Sequence, residues 1–293
     1  MRRFCLKNTG ISDQARKTMC FALERNKEFA LYSTPMNDAS PTSQTSPSLE
    51  PSKSAPSSLH GSILIQRWLE VKARIERAKV LAHRENEVVQ LLAVSKTFPL
   101  EDIVQLKAAG QKSFGENYIQ EAVQKIEGAA HLPTMHDTQW HCIGPLQSNK
   151  TKWAAQCFDW VHTLESLKHA QRLHEQRPAH LPALNVLIQV NVDQGETKSG
   201  VSVQEVLPLA KEIMSLSRLR LRGVMTMPDF VPHHDQQLAL HEKGRAVFDA
   251  LQMEWGHALI DTLSMGMTQD LESAIEAGST LVRVGTAIFG GRA

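Results

Sequence analysis

From residue 63 onward, short apolar runs and amphipathic stretches alternate eight times, and this alternation limits the fold more than any other feature of the chain. The runs are "LLAVS", "SFGEN", "QWHCIG", "DWVHTL", "ALNVLIQVNV", "LRLRGVMTMP", "DTLSMGM" and "TLVRVG". Their β-branched and aromatic content reads as strand. Between them, apolar residues recur three and four apart, which reads as helix. "ILIQRWLEVKARIERAKVLA" precedes the first strand as a helix of its own, and its mixed-charge portion, 70–84, reads as a solvated face. Further helices are expected over 100–109, 119–126, 203–214 and 236–252. Gly110 and Gly128 are expected to end the first two of these, and Asp235, after His233 and His234, to cap the last.

Strands separated by helices form a parallel sheet with the helices outside it. Eight such units in about 230 residues fit a single-domain (β/α)8 TIM barrel of the α/β class. The rival is an open doubly wound sheet. It usually opens with a Gly-rich fingerprint, and no GxGxxG follows the first strand here.

The first 60 residues have another character. Residues 1–32 are basic, and 33–58 are dominated by Ser, Thr and Pro. Such composition cannot bury enough apolar surface to offset the entropy of ordering. The expected organisation is a disordered extension over 1–60, with its basic start a candidate targeting peptide or a dispensable tail, and a barrel over 61–293. A net charge of +1 points to neither nucleic acid nor an anionic membrane, and no apolar run is long enough to span a bilayer. Cys5, Cys20, Cys142 and Cys157 form no CxxC pair and read as reduced thiols. His131, His136 and His141 recur every five residues, a spacing that suits no metal site. The expected location is the cytoplasm, or a mitochondrion or plastid if the basic segment is a transit peptide.

In a barrel of this kind the carboxyl ends of the strands build the active site. Lys96 follows the first strand, Ser264, Gly266 and Thr268 follow the seventh, and Arg283, Gly285 and Thr286 end the eighth. Loops after strands seven and eight often hold phosphate in this fold. Glycine permits close backbone approach, and arginine supplies a permanent charge with a fork of donors. A lysine in a partly apolar pocket has a lowered pKa, so that its neutral amine can attack an aldehyde. A lysine facing an anion cradle suits pyridoxal 5′-phosphate (PLP). The same residues read in other ways too: Lys96 as a surface residue, Gly285 as a simple turn, Arg283 as a helix-side partner of a carboxylate, and Ser264 as a small core filler.

"AVSKT", "FGENYIQE", "WHCIGPLQSNK", "KSGV", "RGVMTMP" and "LSMGMTQDLESAIEAGSTLVRVGTAIFG" occur in an order that resembles the pyridoxal-phosphate homeostasis proteins, barrels related to the N-terminal domain of alanine racemases. The resemblance spans about residues 62–291. It implies that Lys96 forms the Schiff base with PLP, and that Ser264, Gly266, Arg283, Gly285 and Thr286 surround the cofactor, mainly at its phosphate. It also implies pocket roles for Asn117 and Tyr118, and a signature at Asn149 and Lys150 whose role stays open. Phe98 departs from the family pattern, where a lysine or another polar residue is common. The chain ends at "FGGRA" without the short tail of many members, and the N-terminal extension suggests a eukaryotic version.

The resemblance implies a carrier or buffer of PLP in vitamin B6 homeostasis rather than an enzyme, acting as a monomer or weak homodimer, with PLP-dependent apo-enzymes as recipients. Racemization needs acid–base groups on both faces of the substrate. The only tyrosines are Tyr32 and Tyr118, and no second base is evident. A low-activity amino-acid racemase is the alternative.

Overall fold

The computed structural model describes residues 57–193, 195 and 198–291. The basic segment, the Ser/Thr/Pro stretch as far as residue 56, Cys5, Cys20 and Tyr32 lie outside the described residues, while residues 57–60, expected in the extension, begin the first helix.

Eight parallel strands close into a barrel in sequence order, with the first paired to the last. They are β1 (Gln90–Val94), β2 (Ser113–Glu116), β3 (Gln139–Cys142), β4 (Trp160–Leu164), β5 (Leu184–Val190), β6 (Leu219–Thr226), β7 (Thr262–Ser264) and β8 (Leu281–Val284). The helices around them are α1 (Ser57–Leu81), α2 (Leu100–Ala108), α3 (Ile119–Ala130), α4 (Thr151–Cys157), α5 (Leu167–Gln176), α6 (Val203–Met214), α7 (His234–Trp255), α8 (Leu271–Glu276) and α9 (Thr286–Phe289). Strands covered on both faces need apolar side chains on both, which explains why they read as apolar runs rather than as alternation. Leu92, Ala93, Phe114, Val161, Leu187, Ile188, Leu263 and Val282 are fully buried. No helix among the described residues is long and apolar enough to cross a membrane.

Three local expectations are corrected. Gly128 does not end its helix: α3 continues to Ala130. A Cβ at Gly128 would stand 2.9 Å from Leu100 Cδ2, so this glycine serves the close approach of α3 to α2. Asp235 is not a cap, because α7 begins at His234 and Asp235 lies within its first turn. The charged part of α1 and the residues after it are not simply a solvated face. Lys79 and Arg84 are buried, and Arg74 reaches across to α8 to pair with Glu272.

Candidate functional site

Closure of the ring brings Lys96 beside the loops that follow β7 and β8. A Cβ built on Gly285 would lie 3.2 Å from the Val94 carbonyl oxygen, two residues before Lys96. A larger residue there would push β8 away from β1. Lys96 is half-buried. Phe98 stacks on Phe289 of α9, with ring centroids 4.8 Å apart, so the departure from the family pattern fastens the Lys96 turn to the last helix. The hydroxyls of Thr268 and Thr286 stand 3.5 Å apart, joining the loops after β7 and β8.

Arg283 does not project among the helices, as one sequence reading allowed. It is buried, and its guanidinium reaches two strands along the barrel. Nη1 donates to the Ser264 backbone oxygen and to Ser264 Oγ, both at 2.8 Å, and Nη2 donates to Thr226 O at 2.9 Å. Burial lowers its pKa to about 10, which leaves it cationic at neutral pH. Ser264 is therefore more than a filler. Its Oγ accepts from Arg283 and meets His162 Nδ1 at 3.2 Å, and His162 Nε2 meets His141 Nδ1 at 2.9 Å. β4 and β7 are not neighbours in the sheet, so this chain crosses the barrel interior. Both histidines are fully buried, and burial holds His141 down to about 3 and His162 well below its ordinary value.

The loop after β7 is tied at its ends. Asp270 Oδ1 accepts the Met267 N–H at 2.6 Å, and Asp270 Oδ2 stands 3.3 Å from His241 Nε2. Burial works to raise the Asp270 carboxyl, but the His241 bond, the Met267 N–H and the Arg283 charge outweigh it and hold it below the usual range. Gly266 adopts φ 91°, and a Cβ there would come within 2.5 Å of Ala274 Cβ. Only glycine meets both demands. Arg74 Nη2 donates to Thr268 O at 3.2 Å.

Asn117 and Tyr118 follow β2 at the same end of the barrel. Asn117 is half-buried, while Tyr118 is 57% exposed and stands on the rim. Asn149 is exposed and Lys150 half-buried in the turn before α4. Sequence reasoning missed His162, Glu116, Lys125 and Arg74. A histidine inside the apolar run "DWVHTL" was a readable signal, whereas the grip of Glu116 and Lys125 on Ser95 and of Arg74 on Glu272 joins positions 21 to 198 apart.

A cleft of about 400 Å³ opens at the opposite end of the barrel, lined by Trp68, Lys72, Gln90, Lys112, Ser113 and Gln139 among others. Its polar groups are used locally: Trp68 Nε1 donates to Gln111 Oε1, and Lys72 lies over the Trp68 ring. At the carboxyl ends, Thr226 O accepts from Arg283 Nη2 at 2.9 Å.

The chain is a closed parallel (β/α)8 barrel, the architecture of the racemase-like barrels. A family profile described as "Alanine racemase, N-terminal domain" matches residues 70–293. Pyridoxal phosphate homeostasis proteins of Pasteurella multocida and Vibrio cholerae are each 49% identical to the chain, over 233 and 229 residues, covering 78% of it and 97% and 96% of their own lengths. The Escherichia coli protein of that name is 47% identical over 223 residues, 76% of this chain and 94% of its own. PipY of Synechococcus elongatus, solved with PLP bound, superposes with a TM-score of 0.67 at 30% identity, covering 78% of this chain and all of PipY. Alanine racemase from Corynebacterium glutamicum shares the fold, with a TM-score of 0.54 at 17% identity over 78% of this chain and 60% of its own. The chain belongs to the pyridoxal phosphate homeostasis protein family.

Proposed function

We propose that this chain binds pyridoxal 5′-phosphate at the carboxyl ends of β1, β7 and β8, and acts as a carrier and buffer of the cofactor in vitamin B6 homeostasis. The observation that carries the reading is the contact of Gly285 with Val94, which sets the Lys96 turn against the turn closing β8.

The donor set suits the cofactor. Lys96 offers an amine, Ser264, Thr268 and Thr286 offer hydroxyls, and Arg283 offers a buried cation. Two acidic groups at this end are engaged elsewhere: Asp270 with Met267 and His241, and Glu116 with Ser95 and Lys125. A dianion arriving there meets donors and positive charge. When bound, PLP supplies an aldehyde carbon open to a neutral amine and a ring that withdraws electrons. The protein's part is to hold and orient. Lys96 approaches the aldehyde, the Gly266–Thr268 and Gly285–Thr286 loops face the phosphate, and Asn117 and Tyr118 line the β2 side. Arg283 is spent on strand ends β6 and β7, and so braces the site while keeping a fixed positive charge beneath it.

The carrier reading rests on the same geometry. Proton transfer on both faces of a bound amino acid needs two positioned groups. Lys96 provides one, and Tyr118 stands exposed on the rim. Transfer to apo-enzymes, and a monomeric or weakly dimeric state, belong to this proposal.

Borohydride reduction of the PLP-loaded protein, followed by peptide mass mapping, tests it. A pyridoxyl adduct on Lys96 is expected, and an adduct on another lysine overturns the site. Sustained turnover of D- or L-amino acids that disappears in Lys96→Ala would replace the carrier with a racemase.

A further inference from the structure

One ammonium group holds the backbone before Lys96 directly and the backbone after it through a carboxylate. Lys125 Nζ, from α3, donates to the Ser95 backbone oxygen at 2.8 Å, to Glu116 Oε1 and Oε2 at 2.9 and 3.0 Å, and to Glu121 Oε1 at 2.6 Å. An ammonium has three donors, and here they meet three acceptor groups. Each carboxylate also holds one flank of Lys96. Ser95 Oγ donates to Glu116 Oε1 at 2.6 Å, and the Thr97 N–H donates to Glu121 Oε1 at 2.7 Å. Thr97 needs such a hold: its φ is 67°, a left-handed conformation that a β-branched residue rarely adopts. Glu116 is fully buried and Lys125 is 8% exposed.

Burying an ion cluster is a poor way to gain stability, since apolar side chains of similar volume do as well or better. Its advantage lies in direction. The cluster takes hold of particular backbone atoms at positions 95 and 97, which an apolar core would leave free to shift. We propose that Glu116, Lys125 and Glu121 form a positioning triad that locks the Lys96 turn and so aims the Lys96 amine. The proposal rests on Lys96 as the cofactor lysine. None of the three touches the cofactor; they act through the backbone of Ser95 and Thr97.

The test uses the full chain. Glu121 is partly exposed on a helix, so Glu121→Ala is expected to fold and keep its melting temperature within a few degrees. Amide exchange at Thr97 should accelerate about tenfold or more, the loss expected for one charge-assisted hydrogen bond. The visible absorbance of the bound cofactor should grow in correspondingly more slowly. Glu121→Gln keeps an oxygen that can accept from Thr97 and should recover part of both effects. Lys125→Met, which strips the triad of its ammonium, should slow uptake further or fail to fold. Wild-type Thr97 exchange and uptake in Glu121→Ala would overturn the triad whatever Lys125→Met does. A borohydride adduct on another lysine in the unmodified protein would instead overturn the underlying site, and the two failures are thereby distinguished.

Discussion

His162 Nδ1 lies 3.2 Å from Ser264 Oγ, across the barrel interior and 102 positions away in sequence. The same hydroxyl accepts from Arg283, so a neutral imidazole and a cationic guanidinium share one small oxygen. Behind His162 stands His141, stacked on Trp160 at 5.2 Å with an interplanar angle of 5° and with its Nε2 unpartnered.

These two histidines make the fold sensitive to acid. Burial lowers the His141 pKa to about 3, against about 6.5 when unfolded. The neutral form is native, so the stabilisation is complete above 6.5 and is lost as pH falls towards 3. Within that window the unfolded chain binds more protons, and stability falls by up to about 1.4 kcal/mol per pH unit for each such group. Unfolding free energies measured by denaturant between pH 7 and 4 should carry this slope. His141→Leu should show a shallower one; equal slopes would refute the assignment.

Arg283→Met removes a buried cation and leaves Thr226 O, Ser264 O and Ser264 Oγ without their donor. A loss of about 3 kcal/mol is expected, since unsatisfied buried acceptors keep their desolvation penalty. The urea midpoint should fall, and PLP affinity with it. Arg283→Lys, with a point charge that cannot fork to two strand ends, should recover only part.

Gly285→Ala and Gly266→Ala should behave differently. Gly285 has φ −114°, ordinary for any residue, and its added Cβ meets tight contacts with Val94 O at 3.2 Å and Val94 Cβ at 3.3 Å. About 1 kcal/mol of destabilisation is expected, with a clear fall in PLP affinity, because the strand that leads to Lys96 must move. Gly266→Ala adds a left-handed backbone to a clash with Ala274 and should destabilise several-fold more. Melting curves and absorbance titrations of both variants check the contrast.

Arg74→Ala should separate stability from binding. Its bidentate pair with Glu272 is partly exposed, so its loss should change stability by less than about 1 kcal/mol. It also releases Thr268 O, and PLP affinity should weaken several-fold. Equal affinity in the variant would remove Arg74 from the support of that loop.

Much of this architecture is legible in the chain because it is local. Lys96, Gly266 and Gly285 stand at the ends of apolar runs, and strand-end position in a barrel implies function. Helix α6 was readable to the residue from its spacing. Gly128 was misread because the reason for a glycine there is Leu100 on another helix, 28 positions back. The Glu121–Lys125 pair has helical spacing and could be read, but its grip on Ser95, 30 positions away, exists only after β1 and β2 have paired. Side chains with two distant partners leave no local periodicity to detect.

The pairing of β1 with β8 has a temporal consequence. Lys96 is synthesised early, while Arg283 and Gly285 come some 190 positions later. On the proposed site, a nascent chain presents Lys96 long before the turn that closes β8 exists. If Lys96 is the cofactor lysine, capture of a vitamin B6 aldehyde there must wait until the final strand has left the ribosome and docked.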